Sequence, residues 1–188
     1  MLQQTQVSRV VAKYEEFLSA FPTLESLAAA RPARVREAWS GLGYYARARN
    51  LHRLARQVSA GGGAIPERPE ELRRLPGIGA YTAGAVASFA YGRRTPLVDT
   101  NVARVLRRVF APRLDPKSAA GARALWQLAG ELLPRSGSAT YVHNQALMEL
   151  GALLCTARVM RCARCPVRTV CATAAGLRRD IPQPPVVL

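Results

Sequence analysis

Across the 188 residues of this chain, no segment alternates apolar with polar residues over the length of a strand, while proline and glycine interrupt it at short intervals. Alternation is the mark of a half-buried strand; segments rich in Ala and Leu without it predict short helices, hence an all-α fold. One helix is expected from the first residue to about residue 20, stopped by Phe21-Pro22. Met1-Leu2-Gln3-Gln4-Thr5-Gln6-Val7 reads as part of that helix, with no capping residue in front of it. A second helix follows Thr23 as N-cap and ends near Arg31-Pro32. A third covers about residues 33–40, and a fourth runs from near Tyr45 to Val58, ahead of Gly61-Gly62-Gly63. No repeat of fixed period is present. The end, from Ile181 to Leu188, is Pro-rich and reads as a linker or tail.

Apolar residues make up 49% of the chain, enough for one domain or two small lobes with a real core. No apolar run approaches a membrane span, and the start lacks the apolar stretch of a signal peptide, so a cytoplasmic protein is expected. The 27 basic residues outnumber 12 acidic ones, for a formal charge of +15. Such a surplus favours a polyanionic partner; the alternative is a solvated basic surface. Nearly all of the positive charge is arginine, since Lys13 and Lys117 are the only lysines.

Two stretches carry recognisable chemistry. Between Glu70 and Gly84, Leu75-Pro76-Gly77-Ile78-Gly79 joins two short helices by a tight hairpin, with glycines supplying unusual backbone angles. Amides left bare at the start of the next helix, together with its dipole, suit a phosphate oxygen; an ordinary helix–helix turn is the alternative. Such a contact holds a duplex without reading its sequence. Near the C-terminus, Cys155, Cys162, Cys165 and Cys171 are the only cysteines, spaced C-x6-C-x2-C-x5-C. Disulfides do not suit a reducing cytosol, and clustered thiolates hold either zinc or an iron–sulfur cluster. A single C-x2-C pair, where zinc sites more often show two, favours iron–sulfur.

These two motifs, with Val98-Asp99-Thr100-Asn101-Val102 between them, resemble the helix-hairpin-helix DNA glycosylases that carry a 4Fe–4S cluster. Within that superfamily, the first seven residues, Gly41-Leu42-Gly43-Tyr44-Tyr45-Ala46-Arg47-Ala48-Arg49-Asn50-Leu51-His52 and Asn144-Gln145-Ala146-Leu147-Met148-Glu149-Leu150-Gly151-Ala152 are similar to MutY-type adenine glycosylases. The resemblance covers about residues 1–175. It implies a six-helix barrel lobe with the hairpin over 1–112, packed on a helical cluster lobe over 113–175, with 176–188 as tail. The implied partner is double-stranded DNA holding adenine opposite 8-oxoguanine or guanine. A monomer, acting near the nucleoid and not at a membrane, is expected.

The resemblance also assigns roles. Gln4, with Thr5 beside it, and Tyr44 match residues that enter the DNA stack when a base is flipped out. Read from the residues alone, Arg47 and Arg49 either meet phosphate or solvate a helix face, and Gly77 and Gly79 leave bare amides for the DNA backbone. Asp99 matches a carboxylate facing the sugar, where it stabilises developing positive charge as one carboxylate does in glycosidases; it doubles as a candidate N-cap. Tyr81 and Asn101 match further catalytic positions, and Gln145 one that contacts adenine. The four cysteines would hold the cluster and present Arg161, Arg164 and Arg168 to phosphate.

In the endonuclease III-like relatives the position of Tyr81 is a lysine that forms a Schiff base and cuts the strand. Tyrosine there implies base removal alone. It also occurs in thymine glycosylases acting on T:G mispairs, which stand as the alternative beside a non-catalytic DNA-binding paralogue. The pattern places its general-acid Glu two residues before Met1, beyond this sequence, and on a continuous helix Glu15 and Glu16 would lie roughly 25 Å away. A truncated or misplaced start is expected over a dead paralogue, because Asp99, Tyr81 and the cysteines persist. So is the absence of a C-terminal domain that reads 8-oxoguanine.

Overall fold

The structure, a computed structural model, describes residues 1–2 and 4–179; the Pro-rich tail lies, from Asp180 onward, outside the described residues. Among the described residues there is no strand, only a lone antiparallel bridge between Cys155 and Met160. The chain forms two compact units that divide between Gly79 and Ala80.

The first unit holds α1 (Val7–Ala20), α2 (Leu24–Ala29), α3 (Pro32–Ala38), α4 (Ala46–Ala60) and the single turn α5 (Pro69–Leu72). α1 begins at Val7, not at the chain start as the sequence suggested. Gln4 takes φ +58°, a left-handed conformation that no α-helix propagates. Thr5 then turns its hydroxyl to the Leu42 carbonyl, 3.2 Å away, and the segment is held by long-range bonds in place of helical ones. Glu15 and Glu16 therefore do not continue one helix from Met1. α2 starts as expected at Thr23, whose hydroxyl accepts from the Ser26 amide while the Ser26 hydroxyl accepts from the Thr23 amide. The helices close on Val10, Phe17, Phe21, Leu27, Val35, Trp39 and Ala55. Phe17 meets the Trp39 ring edge-on at 5.8 Å, a favoured aromatic geometry.

The second unit holds α6 (Ala80–Phe89), α7 (Thr100–Phe110), α8 (Ala119–Glu131), α9 (Gly137–Glu149) and α10 (Ala172–Arg179). α9 runs directly into a π-turn, Leu150–Leu154. Leu97, Val102, Leu106, Leu125 and Ala129 form the core. Gly84 sets the entry to α7: a Cβ there would stand 2.3 Å from the Pro96 carbonyl oxygen. Only glycine lets the 96–98 segment lie this close to α6.

Candidate active site

In the first unit, one arginine organises the residues expected at the DNA stack. Arg47 donates from Nη1 to the Met1 carbonyl at 2.6 Å, and from Nη2 to the Thr5 hydroxyl at 2.7 Å and the Leu42 carbonyl at 3.0 Å. Its guanidinium also lies 5.3 Å from the Tyr44 ring centroid and 5.5 Å from that of Trp39. The planar fork thus ties the start of the chain to the 42–44 turn. Nη1 and Nη2 of Arg47 are turned toward the chain itself. Trp39 fixes the same turn from below, its indole donating to the Gly43 carbonyl at 3.0 Å.

Gln4 and Tyr44, the two expected wedges, are the two non-glycine residues with positive φ among the described residues, at +58° and +45°. Such strain persists only where the surroundings over-determine it, and it gathers at functional sites. Tyr44 is 60% exposed and Tyr45 42%, so neither is a core residue. Gly77 has φ +79°, and a Cβ there would come 2.8 Å from the Asn50 Cβ, so two separate constraints demand glycine. Gly79 differs: its φ lies outside the left-handed region, and a Cβ would meet nothing within 4 Å. The space beside it is open.

In the second unit, Tyr81, Asp99 and Asn101 come together. Asp99 is the N-cap of α7, its Oδ1 accepting from the Val102 amide at 2.7 Å. Its Oδ2 accepts from Asn101 Nδ2 at 3.3 Å. Burial, with the Asp99 carboxylate beside it, pushes the Tyr81 phenol above its ordinary range, so Tyr81 stays neutral and keeps its proton. Arg104 fixes Asn101 in turn, donating from Nη2 to the Asn101 side-chain oxygen and to the Gly151 carbonyl, both at 2.7 Å. Its Nε donates to the Cys155 carbonyl at 2.8 Å. A Cβ on Gly151 would sit 2.8 Å from the Asn101 Cβ, so the π-turn abuts the site at glycine. Gln145 is exposed on α9 and donates to Glu149 at 2.9 Å.

All four cysteines line one pocket, whose space open to water is about 20 Å³. Arg108 reaches into it from α7, donating from Nη1 to Cys155 Sγ at 3.3 Å and to the Thr156 carbonyl at 2.7 Å. A cationic donor on sulfur suits a thiolate. Among the described residues, no three His, Cys, Asp or Glu side chains converge as ligands of one metal ion. Arg161, Arg164 and Arg168 are exposed around the thiols.

Arg104 and Arg108 escaped the sequence reading, and Asn144, though part of a quoted segment, was given no role there. Asn144 is buried and donates to the Ser88 hydroxyl at 2.9 Å and the Thr95 carbonyl at 3.0 Å, pinning α9 to the loop before α7. Arginine is so frequent in this chain that its type carries no signal; only the contacts single these two out.

A capped aspartate beside a neutral phenol, a glycine hairpin entering a helix and four thiols on one pocket define a class of DNA-repair fold. Residues 1–131 match the family described as HhH-GPD superfamily base excision DNA repair protein, and the chain belongs to that superfamily. Within it, the chain is similar to the adenine DNA glycosylase of Homo sapiens, 47% identical over 173 residues, covering 91% of this chain and 31% of that protein. It is also similar to the adenine DNA glycosylase of Mycolicibacterium smegmatis, 45% identical over 168 residues, covering 89% of this chain and 56% of that one. The chain therefore spans less than two thirds of either relative.

Among solved structures, a thermostable thymine-DNA glycosylase superposes with TM-score 0.83 at 29% identity, covering 93% of this chain and 80% of that chain. Endonuclease III trapped as a covalent intermediate with DNA gives 0.78 at 22% identity, covering 95% and 82%, a likeness of fold alone. The all-α helix-hairpin-helix glycosylase fold expected from the sequence is thus the fold observed. No helix among the described residues is long and apolar enough to cross a membrane.

Proposed function

We propose that this chain carries the sugar-stabilising and base-flipping part of the chemistry of a monofunctional adenine DNA glycosylase, acting on adenine opposite 8-oxoguanine or guanine in duplex DNA. The observation that carries the reading is the Asp99 carboxylate. Its two oxygens are oriented by the Val102 amide and the Asn101 side chain, and the neighbouring Tyr81 phenol is neutral. An oriented carboxylate opposes the positive charge that grows on a sugar as its base departs. Tyr81 and Asn101 hold that carboxylate and the sugar in register. With tyrosine at this position no amine stands there to form a Schiff base, so the reaction ends at hydrolysis.

Gln4, Thr5 and Tyr44 fill the stack vacated by the flipped nucleotide, with Arg47 positioning them. Gly77 and the open face of Gly79 receive a backbone phosphate, and Gln145 meets the adenine. Cys155, Cys162, Cys165 and Cys171 fit a 4Fe–4S cluster, which attaches one thiolate at each iron corner, better than a single zinc ion, which gathers four sulfurs around one point. When bound, the cluster stiffens the 155–171 segment.

The test is release of free base from duplexes carrying A:8-oxoguanine, A:G or T:G, by the protein. Adenine release with no strand cut supports the reading. Thymine release from T:G alone, as the name of the thymine-DNA glycosylase neighbour would have it, moves it to that activity. Duplex binding without release of any base leaves a DNA-binding module.

A further inference from the structure

α4 carries Arg49, His52, Arg53 and Arg56 along one face, at the spacing of successive turns. Arg36 from α3 faces them, and Tyr45 borders the same hollow, its ring 5.2 Å from the Arg36 guanidinium. The pocket between these helices offers about 490 Å³ of space open to water, within the ~300–1,000 Å³ common for small-molecule sites. Four arginines and no carboxylate line it. Among the described residues none of these four guanidiniums makes a salt bridge, so they crowd together without a counter-charge. A basic helix face in plain solvent has no reason to be concave or to enclose a buried polar atom. This one does: His52 is only 6% exposed, lines the pocket, and its Nε2 has no hydrogen-bond partner among the described residues.

We propose that this pocket is a phosphate-ester binding site, lying wholly in the first unit and sharing no residue with the Asp99 group. Guanidiniums bind phosphate oxygens in pairs through their planar forks. The apolar wall of Val35 and Ala48, with the Tyr45 ring, takes the sugar or base attached to the phosphate. His52 forms the buried floor beneath the guanidiniums. The phosphate belongs either to a free nucleotide or to the backbone of a DNA strand.

The chain contains only two histidines, His52 and His143, so ring resonances distinguish them without ambiguity. The protein is titrated with deoxyadenosine monophosphate and, separately, with a short undamaged DNA duplex, while the histidine ring signals are followed by NMR. The expected result is a saturable shift of the His52 ring with at least one probe, and an affinity weakened about tenfold or more in the Arg53→Glu/Arg56→Glu variant. Saturation by the mononucleotide assigns the site to free nucleotides; response to the duplex alone assigns it to DNA backbone. A His52 ring unmoved by both probes in the unsubstituted protein overturns the proposal, and so does unchanged affinity in the charge-reversed one. Base release plays no part in the readout, so failure here leaves the glycosylase reading untouched.

Discussion

Each oxygen of the Asp99 carboxylate is held by a different donor, and this separates its structural role from its chemical one. Asn is as good an N-cap as Asp, so Asp99→Asn keeps the bond from the Val102 amide but removes the charge. Its thermal midpoint is expected within about 2 °C of the parent, with base release in a single-turnover assay down by a factor of 100 or more, roughly 2.7 kcal/mol or more of transition-state stabilisation. A large drop in midpoint would instead make the cap its main purpose. Arg47 makes a sharper case, since a lysine keeps the charge but cannot bond Met1, Thr5 and Leu42 at once. Arg47→Lys should therefore behave like Arg47→Ala, each losing about 1–3 kcal/mol of stability by urea titration and exposing the first residues to proteolysis. Recovery with lysine would show that charge alone is used. The sequence singled out Asp99, Tyr81 and Asn101 through their match to the family pattern, and the fold brings these three together. The partners of Arg47 were not legible, because direction of hydrogen bonding is a tertiary fact.

Helix starts show the same division at the scale of elements. Thr23 announced α2 because its cap is local, two hydroxyls exchanging bonds with amides three residues apart. The start of α1 was misread because what ends the helix at Val7 is distant: Arg47, Leu42 and a left-handed Gln4. No period or propensity in Met1-Leu2-Gln3-Gln4-Thr5-Gln6-Val7 records that. Between α6 and the segment leading to α7, contact depends on a missing side chain. Gly84→Ala places a methyl against a backbone oxygen and should cost about 1–3 kcal/mol in denaturant midpoint while displacing Asp99 and lowering base release. Tolerance without loss would show that the two segments are not pressed together. α9 carries a titratable counterpart. Burial pushes the His143 imidazole below its ordinary value, so the unfolded chain binds its proton more readily than the folded one. Stability should fall as pH drops below about 6.5, and His143→Gln should flatten that slope in thermal melts between about pH 7 and 5. An unchanged slope would place the acid sensitivity elsewhere.

For the molecule as a whole, the formal charge of +15 sets how it meets a polyanion. Duplex affinity should fall linearly with log salt, by about 0.9 per phosphate neutralised, and an affinity indifferent to salt would remove DNA as the partner of this surface. Two lobes were expected from the sequence, but the place where the compact units divide, between Gly79 and Ala80, is marked by no linker in it. The thiol pocket was legible as four residues, but its dependence on α7 through Arg104 and Arg108 was not. The π-turn Leu150–Leu154 ties these levels together in a way that concerns chain length. Each residue added to or removed from a helix rotates all that follows by about 100°. Between Gln145 and Cys155 the chain is thus phased: one deletion would swing the first thiol out of its pocket, even with every functional side chain retained. Insertions and deletions should accumulate in the 111–118 connection and be purged from 145–155, so that a count of residues there is itself inherited information.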